Sequence, residues 1–236
     1  MAAAGLLEPD RIWTSAKGAY AEPVAEHALA LALAGLRSLR QRITARSWGK
    51  PAGESLYDEP VTILGGGGIA ASLLKLLAPF RAPVTVVRRK AEPVPEAART
   101  LPVSQLHEAL GGARVVFVAL ALTPSTERII GHAQLAAMRP ESWLVNVARG
   151  RHVDTDALVA ALRDGTIGGA ALDVTDPEPL PDEHPLWQLE RCIITPHTAD
   201  TPEMIERMLA RRIRENVACF AAGQQLIGTV DPAEGY

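Results

Sequence analysis

The sequence predicts an α/β fold in which a parallel sheet is doubly wound, with helices on both of its faces. Two observations lead to this prediction. Short apolar segments alternate with segments of helical periodicity from residue 61 to residue 222, and this alternation is typical of βαβ units. In addition, the first of these apolar segments runs into four glycines at residues 65–68, and a helical pattern follows them directly. In such sheets, ligands bind beyond the carboxyl ends of the strands.

Composition limits the class of protein. The chain has 236 residues, of which 47% are hydrophobic, so it can build a substantial core. The formal net charge of −3 does not indicate a nucleic-acid or membrane-surface partner. The cysteines, Cys192 and Cys219, lie in no metal-ligand pattern, so we expect free thiols and no metal site. No signal-peptide core follows Met1, and the apolar run at residues 28–36 is too short to span a bilayer, so we expect a cytoplasmic protein.

The segment before the first glycine turn predicts a short strand at residues 11–14 and a long helix at residues 23–42. Apolar residues repeat at helical spacing in this helix: Val24, Ala28, Leu31, Leu36 and Leu39. Pro23 suits the first turn of a helix. His27 lies on the same helix, and we expect it to be packed structure rather than a catalyst. Residues 47–60 are polar and predict a connecting loop.

Six sheet strands are predicted after this loop, at residues 61–64, 84–87, 115–120, 143–147, 170–174 and 192–195. The segment at 115–120 is uninterrupted apolar sequence, as expected for a strand that is covered on both faces. Helices are predicted to start at Ile69 and to lie at residues 104–110, 131–138, 157–163 and 202–222. Thr155 or Asp156 is the expected N-terminal cap of the helix at 157–163.

The glycine turn predicts a dinucleotide site. Gly65 permits the tight turn, Gly67 has no side chain to keep a pyrophosphate from the backbone, and Ala70 allows the helix to pack closely on the strand. The N-terminus of the helix offers unpaired N–H groups to phosphates. A glycine-rich loop without function would look similar, but the strand before it and the helix after it favour nucleotide binding.

Charged and polar side chains follow the predicted strands, at positions that should share one edge of the sheet. These residues are Arg88, Arg89, Lys90, Arg149, Asp173, Glu178 and His197. An acidic residue at position 88 would bind the 2′-hydroxyl of NAD, whereas an arginine accommodates a 2′-phosphate. Three cations in succession therefore predict NADP in preference to NAD, although some of these side chains could simply be solvated.

Some of these candidates also have a purely structural explanation, although Arg149, in a loop beside a glycine, has little reason to be a core residue. Glu178 could be a surface acid, and His197 could be a packed histidine in a turn. Asp173 lies within an apolar strand and requires a partner, because an unpaired buried carboxylate is costly. The remaining histidines have no such neighbours in sequence, and we expect them at the surface or in loops: His107, His132, His152 and His184.

Four segments, in unbroken order, resemble successive motifs of the D-isomer-specific 2-hydroxyacid dehydrogenases. They are Gly65-Gly66-Gly67-Gly68-Ile69-Ala70; Leu144-Val145-Asn146-Val147-Ala148-Arg149-Gly150; Ala171-Leu172-Asp173-Val174 with Glu178-Pro179-Leu180; and Thr195-Pro196-His197. Residues 20–29 also resemble the helix by which that family enters its cofactor domain. The resemblance implies a Rossmann dinucleotide-binding domain at residues 21–200. It also implies a remnant of a flavodoxin-like substrate domain at residues 1–20, and a helix and tail at residues 201–236 that return to the side of that domain.

The resemblance implies roles for the candidate residues. Arg149 would bind the substrate's carboxylate and carbonyl oxygen, His197 would be the acid–base group, and Glu178 would orient His197 and favour its protonated form. Asp173 would hold the nicotinamide end of the cofactor. The full set of expected cofactor contacts is Gly65, Gly67, Gly68, Ile69, Arg88, Arg89, Leu120, Val147 and Asp173.

The implied activity is hydride transfer between NAD(P) and a small 2-keto or D-2-hydroxy acid, as in glyoxylate and hydroxypyruvate reductases. Members of the family carry a substrate domain of about a hundred residues, of which residues 1–20 would be a remnant, so we expect cofactor binding with slow turnover. A homodimer that joins through the helix at residues 23–42 is also expected. Two alternatives remain: a dinucleotide-sensing binding module of the corepressor type, and a fragment that does not fold.

Overall fold

A parallel β-sheet forms the centre of the molecule. The structure, a computed structural model, describes residue 8 and residues 10–230. Within these residues the sheet has seven strands: β1 (Val61–Leu64), β2 (Val84–Arg88), β3 (Arg99–Pro102), β4 (Val115–Val118), β5 (Trp143–Asn146), β6 (Gly169–Leu172) and β7 (Cys192–Ile194). Their order is β3-β2-β1-β4-β5-β6-β7, and all neighbouring pairs are parallel. The strand order reverses beside β1, so the predicted doubly wound fold is confirmed.

Helices cover both faces of this sheet. They are α1 (Ala21–Leu36), α2 (Leu39–Thr44), α3 (Gly68–Leu77), α4 (Leu106–Gly111), α5 (His132–Ala137), α6 (Thr155–Arg163) and α7 (Pro202–Ala221). On one face, α1 and α3 pack on alternate strand residues such as Ile63 and Phe117. On the other face, α4, α5 and α6 pack on the residues between, such as Leu64 and Val116. These two apolar layers explain why the central strands have no polar face.

The long helix predicted at residues 23–42 is divided in two. Helix α1 ends at Leu36, Ser38 adopts a left-handed conformation with φ of 52°, and α2 starts at Leu39. Arg40 of α2 donates hydrogen bonds to the carbonyl oxygens of Trp187 and Leu189, both at 2.6 Å. The apolar repeat continues through the break, so periodicity alone could not locate it. The hydrogen bonds from Arg40 join α2, after the break, to a loop about 150 residues later in the chain.

One strand was not predicted, and one predicted strand is absent from the described residues. The strand not predicted is β3, an edge strand whose backbone pairs with β2 and in which only Leu101 is buried. Such a strand has almost no apolar pattern to detect. At residues 11–14, in contrast, Thr14 forms only an isolated antiparallel bridge with Thr229.

Several element boundaries also differ from the predicted ones. Strands predicted to reach residues 120 and 174 end at Val118 and Leu172, because the chain leaves the sheet there to form loops at its carboxyl edge. The helix predicted at residues 157–163 begins at Thr155. Its cap is Asp154, whose Oδ1 accepts a hydrogen bond from the Ala157 N–H at 3.0 Å, rather than Thr155 or Asp156.

The two ends of the described chain lie together beside α7. The Ser15 N–H donates to the Gly228 carbonyl at 2.8 Å, and the Val230 N–H donates to the Trp13 carbonyl at 2.9 Å. Helix α7 has no buried residue, and four of its exposed apolar side chains follow one another at helical spacing: Leu209, Ile213, Val217 and Phe220. No helix in the described ranges has the length and apolarity needed to cross a membrane. Cys192 and Cys219 are both free, as predicted.

Candidate functional site

The candidate residues lie at one edge of the sheet. Gly65 follows β1, Arg88 ends β2, Arg149 follows β5, Asp173 follows β6 and His197 follows β7. All of these strands are parallel, so their carboxyl ends share one edge of the sheet. The strand order reverses beside β1, and ligands of such sheets bind at that point of the edge.

The glycine turn has the backbone that its sequence predicted. Gly65 has a φ of +118°, and a Cβ atom there would stand 2.3 Å from the Ala119 carbonyl oxygen, so only glycine fits. Gly67 is extended and caps the N-terminus of α3, with open space where a Cβ would be. Gly68 lies against the start of α1, because its Cβ would be 3.1 Å from the Ala21 Cβ. Ile69, the next residue, is partly exposed.

Arg88 lies beside this turn. A Cβ atom on Gly66 would be 3.2 Å from the Arg88 Cδ, so the aliphatic part of the arginine passes over the glycines. The Arg88 Nη2 is 3.8 Å from Glu92 Oε2. Arg89 and Lys90 are exposed. The structure therefore brings Arg88 to the turn and leaves the two following cations at the surface.

Leu120 and Val147 lie beyond the ends of β4 and β5. Val147 is buried, and its N–H is 3.4 Å from the Val118 carbonyl oxygen. The Leu120 carbonyl oxygen is 3.2 Å from His152 Nε2, and His152 Nδ1 is 3.0 Å from the Thr126 carbonyl oxygen. The expectation that His152 is a surface or loop histidine was wrong, because it is fully buried beneath the 120–126 loop. A single histidine in a polar stretch gives no sequence signal that its ring is buried against the carbonyl oxygens of a distant loop.

Asn146 shapes the loop that carries Arg149. The Asn146 Oδ1 accepts a hydrogen bond from the Ala148 N–H, and its Nδ2 donates to the Arg149 carbonyl oxygen, both at 3.0 Å. Arg149 itself is exposed, and its Nη1 donates to the Ala148 carbonyl oxygen at 2.6 Å. Asn146 was not predicted as a site residue, although an amide at the end of an apolar strand was the available signal.

Glu178 and His197 form a close pair. The Glu178 Oε1 lies 2.6 Å from His197 Nδ1, and the two side chains are 40% and 42% exposed. His197 has a left-handed φ of 50°. Its N–H donates to the carbonyl oxygens of Asp173 at 2.8 Å and Thr195 at 3.0 Å. The carboxylate therefore orients the ring through Nδ1 and leaves Nε2 as the nitrogen available to a ligand.

Asp173 is the centre of a buried hydrogen-bond network. Its side chain is 1% exposed, and Oδ1 lies 3.2 Å from His27 Nε2. Oδ1 accepts from the Thr195 hydroxyl at 2.6 Å and from the Thr198 N–H at 2.9 Å, and Oδ2 accepts from the Ala199 N–H at 3.1 Å. Burial on its own raises the pKa of the Asp173 carboxyl. The hydrogen bonds from His27, Thr195 and the two backbone N–H groups outweigh burial and lower the pKa from its usual 3.8 to about 2.

Comparison with known proteins assigns the chain to a family. Residues 27–199 match the family model for the NAD binding domain of D-isomer specific 2-hydroxyacid dehydrogenases. The chain belongs to that family. Within residue 8 and residues 10–230 of the chain, no three His, Cys, Asp or Glu side chains are grouped as metal ligands.

Individual relatives agree with this assignment. The chain is 41% identical to an uncharacterized protein of Corynebacterium melassecola, over 98% of this chain and 78% of that protein. It is 36% identical to glyoxylate/hydroxypyruvate reductase A of Klebsiella pneumoniae, over 81% of this chain but only 61% of the reductase. A D-isomer specific 2-hydroxyacid dehydrogenase from Xanthobacter autotrophicus Py2, solved in complex with NADPH and MES, superposes with a TM-score of 0.84 at 31% identity. That superposition covers 97% of this chain and 95% of the other.

The partners of Asp173 were also not identified from the sequence. The sequence indicated that a carboxylate in an apolar strand needs a partner, and the structure supplies His27 from α1 and Thr195 from the end of β7. His27 is packed, as expected. The Asp173 oxygens face this network, so the structure does not bring the carboxylate to an open surface where a nicotinamide would bind.

We expect Asp173 to make folding of the protein sensitive to acid. Its pKa is lowered to about 2 in the folded state, so its contribution to stability is complete above the unfolded pKa near 3.8 and is lost as the pH falls through about 2. Chemical denaturation at several pH values should show that the wild type loses on the order of 2 kcal/mol more free energy of unfolding than Asp173→Asn between about pH 5 and pH 2. Equal losses in the two proteins would contradict this account.

Proposed function

We propose that this dehydrogenase transfers a hydride between a nicotinamide cofactor and a small 2-keto or D-2-hydroxy acid, with glyoxylate and hydroxypyruvate as the substrates to test. The observation that carries the proposal is the 2.6 Å contact between Glu178 and His197 Nδ1, on the same sheet edge as the glycine turn. A carboxylate-oriented imidazole at a cofactor edge is suited to acid–base chemistry.

The residues of the chain account for the proton transfer and for substrate binding. When bound, the nicotinamide cofactor supplies the hydride in reduction and accepts it in oxidation. His197 gives a proton from Nε2 to the 2-keto oxygen as the hydride reaches C2, and it takes that proton back in the reverse direction. Arg149, which is exposed at the end of its loop, would hold the substrate's carboxylate through its paired N–H donors.

The glycine turn fits such a cofactor. The space over Gly67 is open, so a pyrophosphate can approach the backbone and the N-terminus of the ten-residue helix α3. Leu120 and Val147 would contact the cofactor from the ends of β4 and β5. We assign Asp173 to the nicotinamide end of the site through the loop that it holds, because its own oxygens are already bonded.

Assays with purified protein test this function. We expect NADPH oxidation on addition of glyoxylate or hydroxypyruvate, and formation of the D-hydroxy acid. The expected turnover number is below about 1 s⁻¹, at the slow end for enzymes, because the His197 and Glu178 side chains are 42% and 40% exposed. A site open to water weakens the electrostatic stabilisation of the reaction. Rates of hundreds per second would contradict slow turnover. Absence of NADPH oxidation with both glyoxylate and hydroxypyruvate would contradict the function.

We also propose that NADP is preferred to NAD. Arg88 lies against the glycine turn, 3.8 Å from Glu92, and its guanidinium can turn to a 2′-phosphate. Charge-assisted hydrogen bonds of this kind contribute about 1.5–3 kcal/mol. NADPH should therefore bind at least about tenfold more tightly than NADH, as measured by tryptophan quenching.

Replacing Arg88 provides the matched test. Arg88→Gln should remove most of the preference by weakening NADPH binding, with little change for NADH. Lys75→Gln serves as the control, because Lys75 is an exposed cation in the last turn of α3, away from the glycine turn. Tighter binding of NADH than of NADPH by the wild type would refute the preference.

We propose that residues 1–20 and 201–236 belong to a second lobe, and that residues 21–200 form the cofactor domain. The contacts of Ser15 with Gly228 and of Trp13 with Val230 support this division, because they join the two ends to each other. The exposed apolar side chains of α7 are the surface that such a lobe would use.

We propose a homodimer as well. One side of α1 is already packed on α3 and the sheet, so its apolar residues alone do not argue for a partner. The part of the predicted interface that is still exposed to a second subunit is α2, where Leu39 and Ile43 are 42% and 80% exposed. Solution scattering that gives a monomer at micromolar concentration would count against the dimer.

A further inference from the structure

We propose that His27 is a positioning residue for His197, and that it acts through Thr195 and Asp173. The inference rests on the proposed role of His197 as the acid–base group. His27 comes from α1 and is separated from Thr195 by 168 residues in sequence. Its side chain is 22% exposed, and its Nε2 faces the buried Asp173 carboxylate.

The hydrogen atoms in this network have a defined arrangement. The Thr195 hydroxyl donates to Asp173 Oδ1 at 2.6 Å. Since a hydroxyl has one hydrogen, Thr195 Oγ1 can only accept from the other neighbour, His27 Nε2, at 3.0 Å. Asp173 Oδ1, 3.2 Å from the same nitrogen, is also an acceptor. His27 must therefore carry a hydrogen on Nε2, which it shares between two oxygens.

The same network fixes the backbone of the loop that carries His197. The Asp173 carbonyl oxygen accepts the His197 N–H at 2.8 Å. The Asp173 carboxylate accepts the N–H groups of the next two residues, Thr198 and Ala199, at 2.9 and 3.1 Å. Asp173 therefore accepts hydrogen bonds from the backbone N–H groups of three consecutive residues, 197 to 199. The left-handed φ of 50° at His197 is costly for a residue with a Cβ, and it persists only where the surroundings impose it.

Loss of His27 would therefore be transmitted to the acid–base pair. Without the Nε2 hydrogen, Thr195 Oγ1 and Asp173 Oδ1 lose a donor inside the fold. The Thr195 side chain and the carboxylate can then rotate, which weakens the bonds to the loop at residues 197–199. His197 can relax from the left-handed conformation, and its ring then moves away from Glu178. A shift of about 1 Å in a reacting group can reduce a rate about a hundredfold.

Substitutions at position 27 test this chain of contacts. His27→Leu removes the donor, and His27→Gln retains it because the glutamine Nε2 reaches about as far as the histidine Nε2. His107→Leu is the control, since His107 is an exposed histidine on α4. We expect His27→Leu to lower kcat about tenfold to a hundredfold, with the Kd for NADPH changed less than about twofold. His27→Gln should recover kcat to within about threefold of the wild type, and the control should match the wild type.

A spectroscopic measurement separates this inference from the proposed function. Long-range ¹H–¹⁵N spectra of the histidine rings, recorded without substrate, report the hydrogen bond between His197 Nδ1 and Glu178. We expect its signal to shift or broaden in His27→Leu and to return in His27→Gln. An unchanged signal in His27→Leu would overturn the inference. A wild type that shows the paired signal but no turnover would overturn the proposed function instead.

Thr195 supplies a second pair of variants if His27→Leu does not fold. Thr195→Val removes the hydroxyl at nearly constant shape, and Thr195→Ser keeps it. Thr195→Val should disturb the His197 signal and lower kcat as His27→Leu does, and Thr195→Ser should not. Equal behaviour of the valine and serine variants in both measurements would overturn the inference.

Discussion

Replacement of His197 by alanine is expected to lower the turnover number about a thousandfold while leaving the Kd for NADPH within about twofold of the wild type. General acid–base catalysis by a positioned side chain contributes about 10²- to 10⁴-fold. His197 is the imidazole that Glu178 holds at 2.6 Å, at the sheet edge of the glycine turn. Its two-fifths exposed ring contributes little to the core, so the variant should remain folded. Steady-state assays and a binding titration together measure the effect.

Glu178→Gln is the companion variant. Glutamine keeps the shape of the side chain but removes the carboxylate charge that orients the His197 ring, so turnover should fall about tenfold to a hundredfold. A larger loss in Glu178→Gln than in His197→Ala would contradict the assignment of roles. If the wild type has no turnover and His197→Ala keeps a full response to cofactor, the chain is better described as a dinucleotide-sensing module.

Replacement of Gly65 by alanine should have the largest effect on stability. Alanine would have to adopt a φ of +118°, and its Cβ would lie 2.3 Å from the Ala119 carbonyl oxygen. Strained backbone conformations cost about 1–3 kcal/mol, and displacement of β4's end would add to that cost. We expect a loss of at least about 3 kcal/mol in the free energy of unfolding, measured by chemical denaturation, together with loss of cofactor binding.

Gly67→Ala is the matched control in the same turn. Gly67 is extended and has open space at its Cβ position, so alanine should change stability by less than about 1 kcal/mol. The added methyl group would, however, stand where a pyrophosphate approaches the backbone, and NADPH binding should weaken at least about tenfold. Unaltered NADPH binding in Gly67→Ala would contradict the placement of the cofactor on this turn. Unaltered stability in Gly65→Ala would contradict the backbone geometry.

Local sequence patterns were sufficient for the centre of the fold. Val61–Leu64, the glycines and α3 were all predicted, because an apolar strand, a turn that only glycine can make and a helical repeat are each encoded within a few residues. The same holds for the residues at the carboxyl edge of the sheet. In parallel strands the end of one strand is necessarily beside the end of the next, so Arg149, Asp173 and His197 could be assigned to one edge without coordinates.

Distances between those residues were beyond the reach of local patterns. The sequence placed Glu178 near His197 only by resemblance, and the 2.6 Å contact follows from the loop geometry after β6 and β7. Edge strand β3 was missed because strand pairing there depends on the β2 backbone and not on side-chain pattern.

The sequence by itself determined the doubly wound sheet, the glycine turn and the edge at which polar residues gather. Only the tertiary structure decided that α1 stops at Leu36, that His152 is buried, and that His27 supports Asp173. The physical reason is range. Periodicity and turn preferences act between residues close in the chain, whereas a buried carboxylate or imidazole is satisfied by whichever donor the fold brings to it, here from a helix about 150 residues earlier.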